Sequence, residues 1–500
     1  MILRPQLNDL KIIGFYLGKL TIGLSLFMIF PAIFSLSLGE INVLFDFVIS
    51  ALFCLMMGIG LHILCYTKQE PKWMHGMIIV SFSWLVAALA GAVPLYLSGH
   101  WESFLDAFFD AMSGLSTTGL TLVNDLNHMS YGHNLWRHML IFLGGQGIVV
   151  VVLSFFVQGA QGAVRLYVGE ARDERIFPNI QRTARFIWSV SLIYLTLGTL
   201  VFGLVAVKEG LPWGDAFFNG LCIFMAAFDT GGFAPYEQNM LYYHSFVLEL
   251  VTIVFMVWGA INFRLHYMLW NGQRKELWRN FEMQTFFITN ILIFSLIALS
   301  LSNTNIYDQF LTVFRKGFYH SISAHTGTGF QTIYSSEFTQ EWGSLALFGI
   351  IFAMGLGGCV CSTTGGIKAL RLGVVAKAFY EEVKHYVSSE NTVFISKIHH
   401  IKDIILSDKQ MRSACLITIA YIVTYFLGGA IGMICGYPFI DSIFESTSAA
   451  ANVGLSCGIT SPSMPVILKL TYMVQMWAGR LEFISVFALI GFMIALVRGK

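Results

Sequence analysis

The sequence predicts an all-α polytopic membrane protein, with four helix–pore loop–helix repeats in pseudo-four-fold arrangement after two N-terminal transmembrane helices. Three observations lead there. Of the 500 residues, 56% are hydrophobic and only 12% charged, where a soluble domain carries roughly 25% charged residues. The apolar residues fall in runs such as Ile12 to Phe34, Val43 to Cys65, Met74 to Leu97 and Ser413 to Cys435, long enough to cross about 30 Å of hydrocarbon as helices. Between such runs, one short pattern recurs four times.

The spans read as helices because barrel strands would show alternating segments of about ten residues. The first run has no small-residue cleavage site and is followed by further spans, so it reads as a retained helix. Basic residues cluster in alternate loops, at Lys68 and Lys72, from Arg165 to Arg185, from Arg264 to Arg279 and from Lys368 to Arg412. The positive-inside rule makes these loops cytoplasmic, together with both termini, so the number of crossings is even. The net charge of +1 argues against nucleic acid as a partner; the surrounding partner is membrane lipid. The eight cysteines lie mostly within apolar runs, as small buried hydrophobes rather than a disulfide framework. Cys359-Val-Cys361 lacks the second Cys/His pair that a zinc site requires.

The recurring pattern is an acidic or polar residue, a small one and an aromatic one, then about a dozen residues later a glycine among Thr, Ser and Ala. Its copies run from Asp106 to Gly119, Asp215 to Gly232, Lys316 to Gly329 and Asp441 to Gly454. Each is too short to span and sits between two long runs, as a re-entrant half-helix with a loop entering from the outer side. The second copy is about one helical turn longer, so either its half-helix starts earlier or Asn219 takes the acidic place. The predicted organisation is two leading helices over 1–70, then repeats over 71–160, 161–272, 273–385 and 386–500, giving ten spans. Among the linkers, 159–182 reads as a basic helix and 378–410 as a long charged cytoplasmic stretch.

Irregular backbone at membrane depth is tolerated only when buried in protein or lining a watery cavity, so four such loops imply one shared aqueous path. Backbone carbonyls replace the water shell of a monovalent cation without binding it too tightly. Glycine allows the backbone angles that point them inward. The candidate ion ligands are Thr117, Thr118 and Gly119; Thr230, Gly231 and Gly232; Gly327, Thr328 and Gly329; and Asn452, Val453 and Gly454. The half-helices aim their partly negative C-terminal ends at the same place. A second interruption, Gly355 to Gly366 with Ser362, Thr363 and Thr364, breaks an apolar run and must also line a cavity. Lys368 just beyond it marks the expected cytoplasmic boundary. Arg480 lies in the middle of the last apolar run and needs a partner or the cavity; Glu482 is the alternative partner.

The chain resembles the TrkH/KtrB/HKT superfamily of potassium transporters, most closely the TrkH branch. The motifs that carry the resemblance are Ser116-Thr-Thr-Gly-Leu-Thr121, Gly231-Gly-Phe233, Thr328-Gly-Phe-Gln-Thr332, Asn452-Val-Gly-Leu-Ser456, the stretch Gly357 to Lys368, and Gly479-Arg-Leu-Glu482. Glycine in all four loops implies a preference for K+, the transported ion, with no organic cofactor. The resemblance further implies that the loop with Gly357, Gly358, Ser362, Thr363, Thr364 and Gly365 obstructs the inner pore and that Arg480 faces it. It also implies a homodimer with a cytoplasmic nucleotide-binding regulatory subunit of TrkA type, and residence in the cytoplasmic (inner) membrane. The chain departs from the family pattern at Thr230-Gly-Gly-Phe233, around His325 and at Gln146. Rival readings are a sodium- or ammonium-permeable relative, an intramembrane enzyme and a membrane scaffold. No Ser/His/Asp or HExxH pattern supports an enzyme, and a scaffold does not require four glycine loops.

Overall fold

Long apolar segments form helices because a bilayer leaves no other way to satisfy backbone N–H and C=O groups within one segment. The computed structural model describes residues 6–147, 176–177, 179–304, 306–389 and 396–498. The linker expected over 159–182 falls mostly outside the described residues, as do Arg4 and Lys500. Helices α1 (Leu7–Leu38) and α2 (Ile41–Leu64) form an antiparallel hairpin. It is fastened to α3 by an Asp9–His75 contact of 2.9 Å.

The first repeat comprises α3 (Trp73–Leu97), the short α4 (Phe104–Leu115) and α5 (Tyr131–Gly145). The second comprises α6 (Ile180–Lys208), the short α7 (Trp213–Phe228), and α8 (Phe246–Ala260) with α9 (Phe263–Trp270). After the four-residue α10 (Glu276–Arg279), the third has α11 (Phe281–Thr304), the short α12 (Phe310–His325), α13 (Ser335–Gln340), α14 (Gly343–Gly355) and α15 (Ala369–Tyr386). An antiparallel hairpin of β1 (Lys397–His400) and β2 (Lys402–Ile405) follows, within the stretch read as a charged linker. The fourth repeat is α16 (Asp408–Ile434), the short α17 (Phe439–Ala450), α18 (Val466–Arg480) and α19 (Ile484–Arg498). The short helix of the second copy does start a turn earlier than in the first and fourth, and so does that of the third.

Among the described residues, six helices are long and apolar enough to cross a membrane, or eight if each bent pair counts as one span. The bent pairs are α8–α9, at 103°, and α18–α19, at 113°. The two remaining expected crossings correspond to α5, 15 residues long as described, and to α14, only 13 residues long. The second helix is therefore broken in three repeats, where the sequence shows only the glycine-rich break. In the fourth repeat the turn is made by Glu482 and Phe483 at φ +50° and +67°, with no glycine to mark it.

Polar contacts fasten the outer end of each of three short helices to the second helix of the preceding repeat. Tyr131 on α5 donates to Asp215 at 2.5 Å, and Arg315 on α12 forks onto Glu249 of α8 at 2.6 and 2.7 Å. Lys469 on α18 reaches Asp106 of α4 at 2.5 Å and closes the circle from the fourth repeat to the first. Of the three, the Lys469–Asp106 pair is buried on both sides, and charges removed from water in this way are tolerable only when paired.

The inner ends of the short helices approach the second helices through glycine. A Cβ at Gly144, Gly259 or Gly479 would stand 1.7, 1.8 or 1.9 Å from the carbonyl oxygen of Leu115, Phe228 or Ala450, the last residue of the short helix in the same repeat. Overpacking of this kind costs about 1–3 kcal/mol or more. Gly479→Ala is therefore expected to lower the thermal unfolding midpoint of the detergent-solubilised protein by several degrees. Gly60→Ala, with open space around its Cβ, serves as the control and is expected to leave the midpoint unchanged or slightly raised. Equal midpoints for the two variants would contradict this packing.

Candidate functional site

All four short helices end in the same way. The residue after the C-cap adopts left-handed backbone: Thr117 (φ +55°), Thr230 (+51°), Gly327 (+70°) and Asn452 (+57°). The next N–H returns to the helix, with Thr118, Gly231, Thr328 and Val453 donating to the carbonyls of Ser113, Ala226, Ser323 and Ser448 at 2.8–2.9 Å. This is a Schellman closure, which satisfies terminal carbonyls and turns the chain sharply. The following residue, Gly119, Gly232, Gly329 or Gly454, is also left-handed, at φ between +64° and +93°.

The four loops meet head to tail. A Cβ on Gly119 would lie 2.4 Å from the Gly231 oxygen, and one on Gly232 would lie 2.1 Å from that of Thr328. On Gly329 it would lie 2.0 Å from the Val453 oxygen, and on Gly454 it would lie 2.0 Å from that of Thr118. Each glycine thus abuts the carbonyl just before the glycine of the next repeat, and the fourth returns to the first. All twelve candidate ligands come together in this ring. Outside it opens a cavity of about 720 Å³ lined by all four glycines.

Side chains brace the ring from behind. Ser113 Oγ and Ser448 Oγ accept the N–H groups of Gly119 and Gly454 at 3.0 Å, and Ser323 Oγ donates to the Phe330 carbonyl at 2.8 Å. Sequence reading gave these serines no role, although their shared spacing from the glycine was visible. The Asn452 amide donates to Thr118 Oγ1 at 3.1 Å and to the Met476 carbonyl at 2.9 Å. Gln146 Nε2 donates to Asp229 Oδ1 at 2.8 Å, so one departure from the family pattern touches the residue just before another.

The 356–368 segment is buried almost throughout and lies against the inner side of the ring. Thr363 Oγ1 lies 3.2 Å from Thr230 Oγ1 and reaches the carbonyls of Phe228 and Gly259 at 2.9 and 3.0 Å. Thr364 and Gly365 approach Gly327, and a Cβ on Gly365 would stand 2.3 Å from the Ala451 oxygen. Gly357, Gly358 and Ser362 sit farther from the ring. Gly357 pairs with Ile367 at 2.7 Å, Gly358 packs on Ala260, and Ser362 bonds to the Cys359 carbonyl and to Thr364. Lys368 is buried, its ammonium folded back onto the Thr364 carbonyl and, at 3.1 Å, its hydroxyl.

Arg480 ends α18 at the break rather than lying mid-helix. It donates to Thr117 Oγ1 at 3.0 Å, to the Thr363 carbonyl at 2.5 Å and to the Gly144 carbonyl at 2.9 Å. It also stands over the Trp84 ring at 5.8 Å. Its alternative partner, Glu482, is taken by Arg371.

Known proteins resemble this chain in sequence and in fold. The sequence profile of TrkH, described as a cation transport protein, matches residues 44–496. The chain belongs to the TrkH family. It is therefore a transporter and not an enzyme. An uncharacterized cation transporter of Methanocaldococcus jannaschii is 32% identical over 98% of this chain and 97% of its own length. The Trk system potassium uptake protein TrkH of Halomonas elongata is 27% identical over 96% of this chain and 98% of its own. Similarity extends to the crystal structure of the potassium transporter TrkH from Vibrio parahaemolyticus, with a TM-score of 0.81 at 24% identity over 96% of this chain and 98% of that one. At that identity the likeness establishes the fold.

The three Arg480 hydrogen bonds predict a latch. A hydrogen bond involving a charged group is worth about 1.5–3 kcal/mol, so losing even one shifts a local opening equilibrium by about tenfold or more. In Arg480→Gln, the buried Cys361 is expected to react with a maleimide about tenfold faster or more, read by peptide-resolved mass spectrometry. An unchanged rate would show that the arginine does not hold the segment.

Proposed function

We propose that this chain carries potassium across the cytoplasmic membrane, through a filter made by the carbonyls of Thr117, Thr118 and Gly119, Thr230, Gly231 and Gly232, Gly327, Thr328 and Gly329, and Asn452, Val453 and Gly454. The observation that carries the reading is the closed ring of four left-handed glycines, each against its neighbour's carbonyl. A ring of neutral oxygens replaces the hydration shell while leaving the ion free to move on. Four helix C-termini aimed at the ring add a partly negative field that favours a cation and repels anions. The relatives named for potassium uptake support potassium as the ion.

In the same reading, the segment with Gly357, Gly358, Ser362, Thr363, Thr364 and Gly365 closes the inner end of the filter, and Arg480 adds a fixed positive charge there that opposes cation flow. Opening requires moving Thr363 away from Thr230 and releasing its carbonyl from Arg480. A regulatory partner drives such a change only by binding the open state more tightly than the closed one. We assign that role to a cytoplasmic nucleotide-binding subunit of TrkA type, acting on a homodimer of this chain whose termini both face the cytoplasm.

Gly119→Ser tests the filter. Its side chain would collide with the Gly231 carbonyl and would sit on left-handed backbone, so the carbonyl ring must shift. The variant, folded and reconstituted in liposomes, is expected to lose about tenfold or more of its potassium-over-sodium flux preference. An unchanged preference would remove Gly119 from the ion path.

A further inference from the structure

Three of the four loops leave the ring along a segment tied back to its own pore helix. The tie is made by one buried side chain nine residues before the ring glycine. In the first repeat Asp110 accepts the Leu122 N–H at 2.7 Å and the Thr121 hydroxyl at 2.6 Å. In the fourth, Glu445 accepts the Cys457 N–H at 3.1 Å and the Ser456 hydroxyl at 2.8 Å. In the third, His320 Nε2 accepts the Thr332 N–H at 3.2 Å, so Nδ1 carries the proton and donates to the Lys316 carbonyl at 2.8 Å. Leu122, Thr332 and Cys457 each stand three residues past their glycine.

The second repeat has neither half of this tie. Ile223 occupies the place of the acid, and Pro235, which has no N–H, occupies the place of the donor. Ala234 offers no hydroxyl beside it. Instead Asn239, on left-handed backbone at φ +54°, donates through Nδ2 to the Gly232 carbonyl at 3.1 Å. Its Oδ1 accepts the N–H of Gln331, two residues past the third repeat's glycine, at 3.2 Å. Asn134 holds the Pro235 carbonyl at 3.1 Å.

We infer that Asn239 is a positioning residue that helps to set the ion preference of the filter by doing across two loops what Asp110, His320 and Glu445 do within one. The inference rests on the filter reading above. The Asn239 amide occupies one lone pair of the Gly232 carbonyl, which makes that oxygen a weaker cation ligand and fixes its direction. The outer mouth of the filter is therefore unequal: three exits give a backbone N–H to their own pore helices, whereas the second has Tyr236 near Asn219 at 3.5 Å and is joined through Asn239 to the third, which in turn reaches the Ser456 carbonyl through Gln331. Without the amide, the Gly232 carbonyl turns more freely, and the Leu241 N–H on the Gln331 carbonyl, at 3.2 Å, is left to hold loop two to loop three. A cage free to adjust its size discriminates less between potassium and the smaller sodium.

The test uses the full-length protein in liposomes, with potassium and sodium fluxes measured under equal gradients. Asn239→Gly suits the left-handed backbone and deletes the amide. Asn239→Asp keeps an acceptor for Gln331 and loses the donor to Gly232, and Gly232→Ala is run beside both. Each Asn239 variant is expected to lower the potassium-to-sodium flux ratio by about fivefold and to lessen the extra thermal stability that the detergent-solubilised protein gains in KCl over NaCl. An unchanged ratio in both, beside a collapsed ratio in Gly232→Ala, overturns the inference and leaves the filter reading standing. An unchanged ratio in all three overturns both. A parental ratio in Asn239→Asp alone overturns the role of the donor to Gly232. A variant destabilised equally in both salts would show a general structural role and also count against the inference.

Discussion

Everything near the membrane centre depends on how a short helix ends. A helix entering the bilayer part-way must stop there, satisfy its last carbonyls and turn the chain back, and a left-handed residue followed by a returning N–H meets all three needs. This chain uses the closure four times and places a glycine two residues after each turn. Three of the four left-handed corners are not glycine, although that conformation costs an ordinary residue roughly 1–2 kcal/mol. Their side chains give the reason. Thr117 receives Arg480, Thr230 meets Thr363, and Asn452 reaches Thr118 and Met476. At Gly327, the exception, the inner segment itself comes close. The corners that shape the ring are thus the points by which the layer beneath is attached.

That attachment makes ring and inner segment one mechanical unit. Arg480 connects Thr117 of the first loop to the Thr363 carbonyl of the segment and to Gly144, and Thr363 connects onward to the second loop and to the α8 terminus. A guanidinium with three oxygen acceptors is sustainable at a depth where a lone charge is not. In the proposed function its charge does two things at once: it holds the inner segment shut, and it raises the electrostatic barrier for a cation leaving the filter. An opening motion must give these oxygens other partners, which sets a free-energy gap for a regulatory partner to bridge.

Much of this was legible in the sequence because hydrophobic runs and repeated motifs are local signals. The spans, the four re-entrant units and the glycine-rich break all follow from residues within about twenty places of one another. What escaped was of two kinds. Breaks without glycine or proline at the turn, such as the left-handed Glu482 and Phe483 that end α18, leave no local mark, and the ion pair Glu482 makes there with Arg371 is a contact between distant residues. Contacts between distant residues escaped as well. Lys469 on Asp106, Asn239 on Gly232 and Gln331, and Arg480 on Thr117 are fixed by the closing of the ring and not by spacing. The contact of Lys368 escaped for a related reason: a lysine after an apolar run reads as a boundary, and its spacing does not show that its ammonium folds back to the Thr364 carbonyl.

The central claim is that the ring of Gly119, Gly232, Gly329 and Gly454 with the carbonyls beside them is a dehydrated cation site shared by all four repeats. The most direct measurement is anomalous diffraction from crystals of the protein grown with rubidium or thallium in place of potassium. The account predicts an anomalous peak inside the ring, within coordination distance of backbone oxygens from all four loops, and its weakening on exchange into sodium. A peak bound by side chains of a single repeat, or anomalous density confined to the outer cavity with none in the ring, would contradict it.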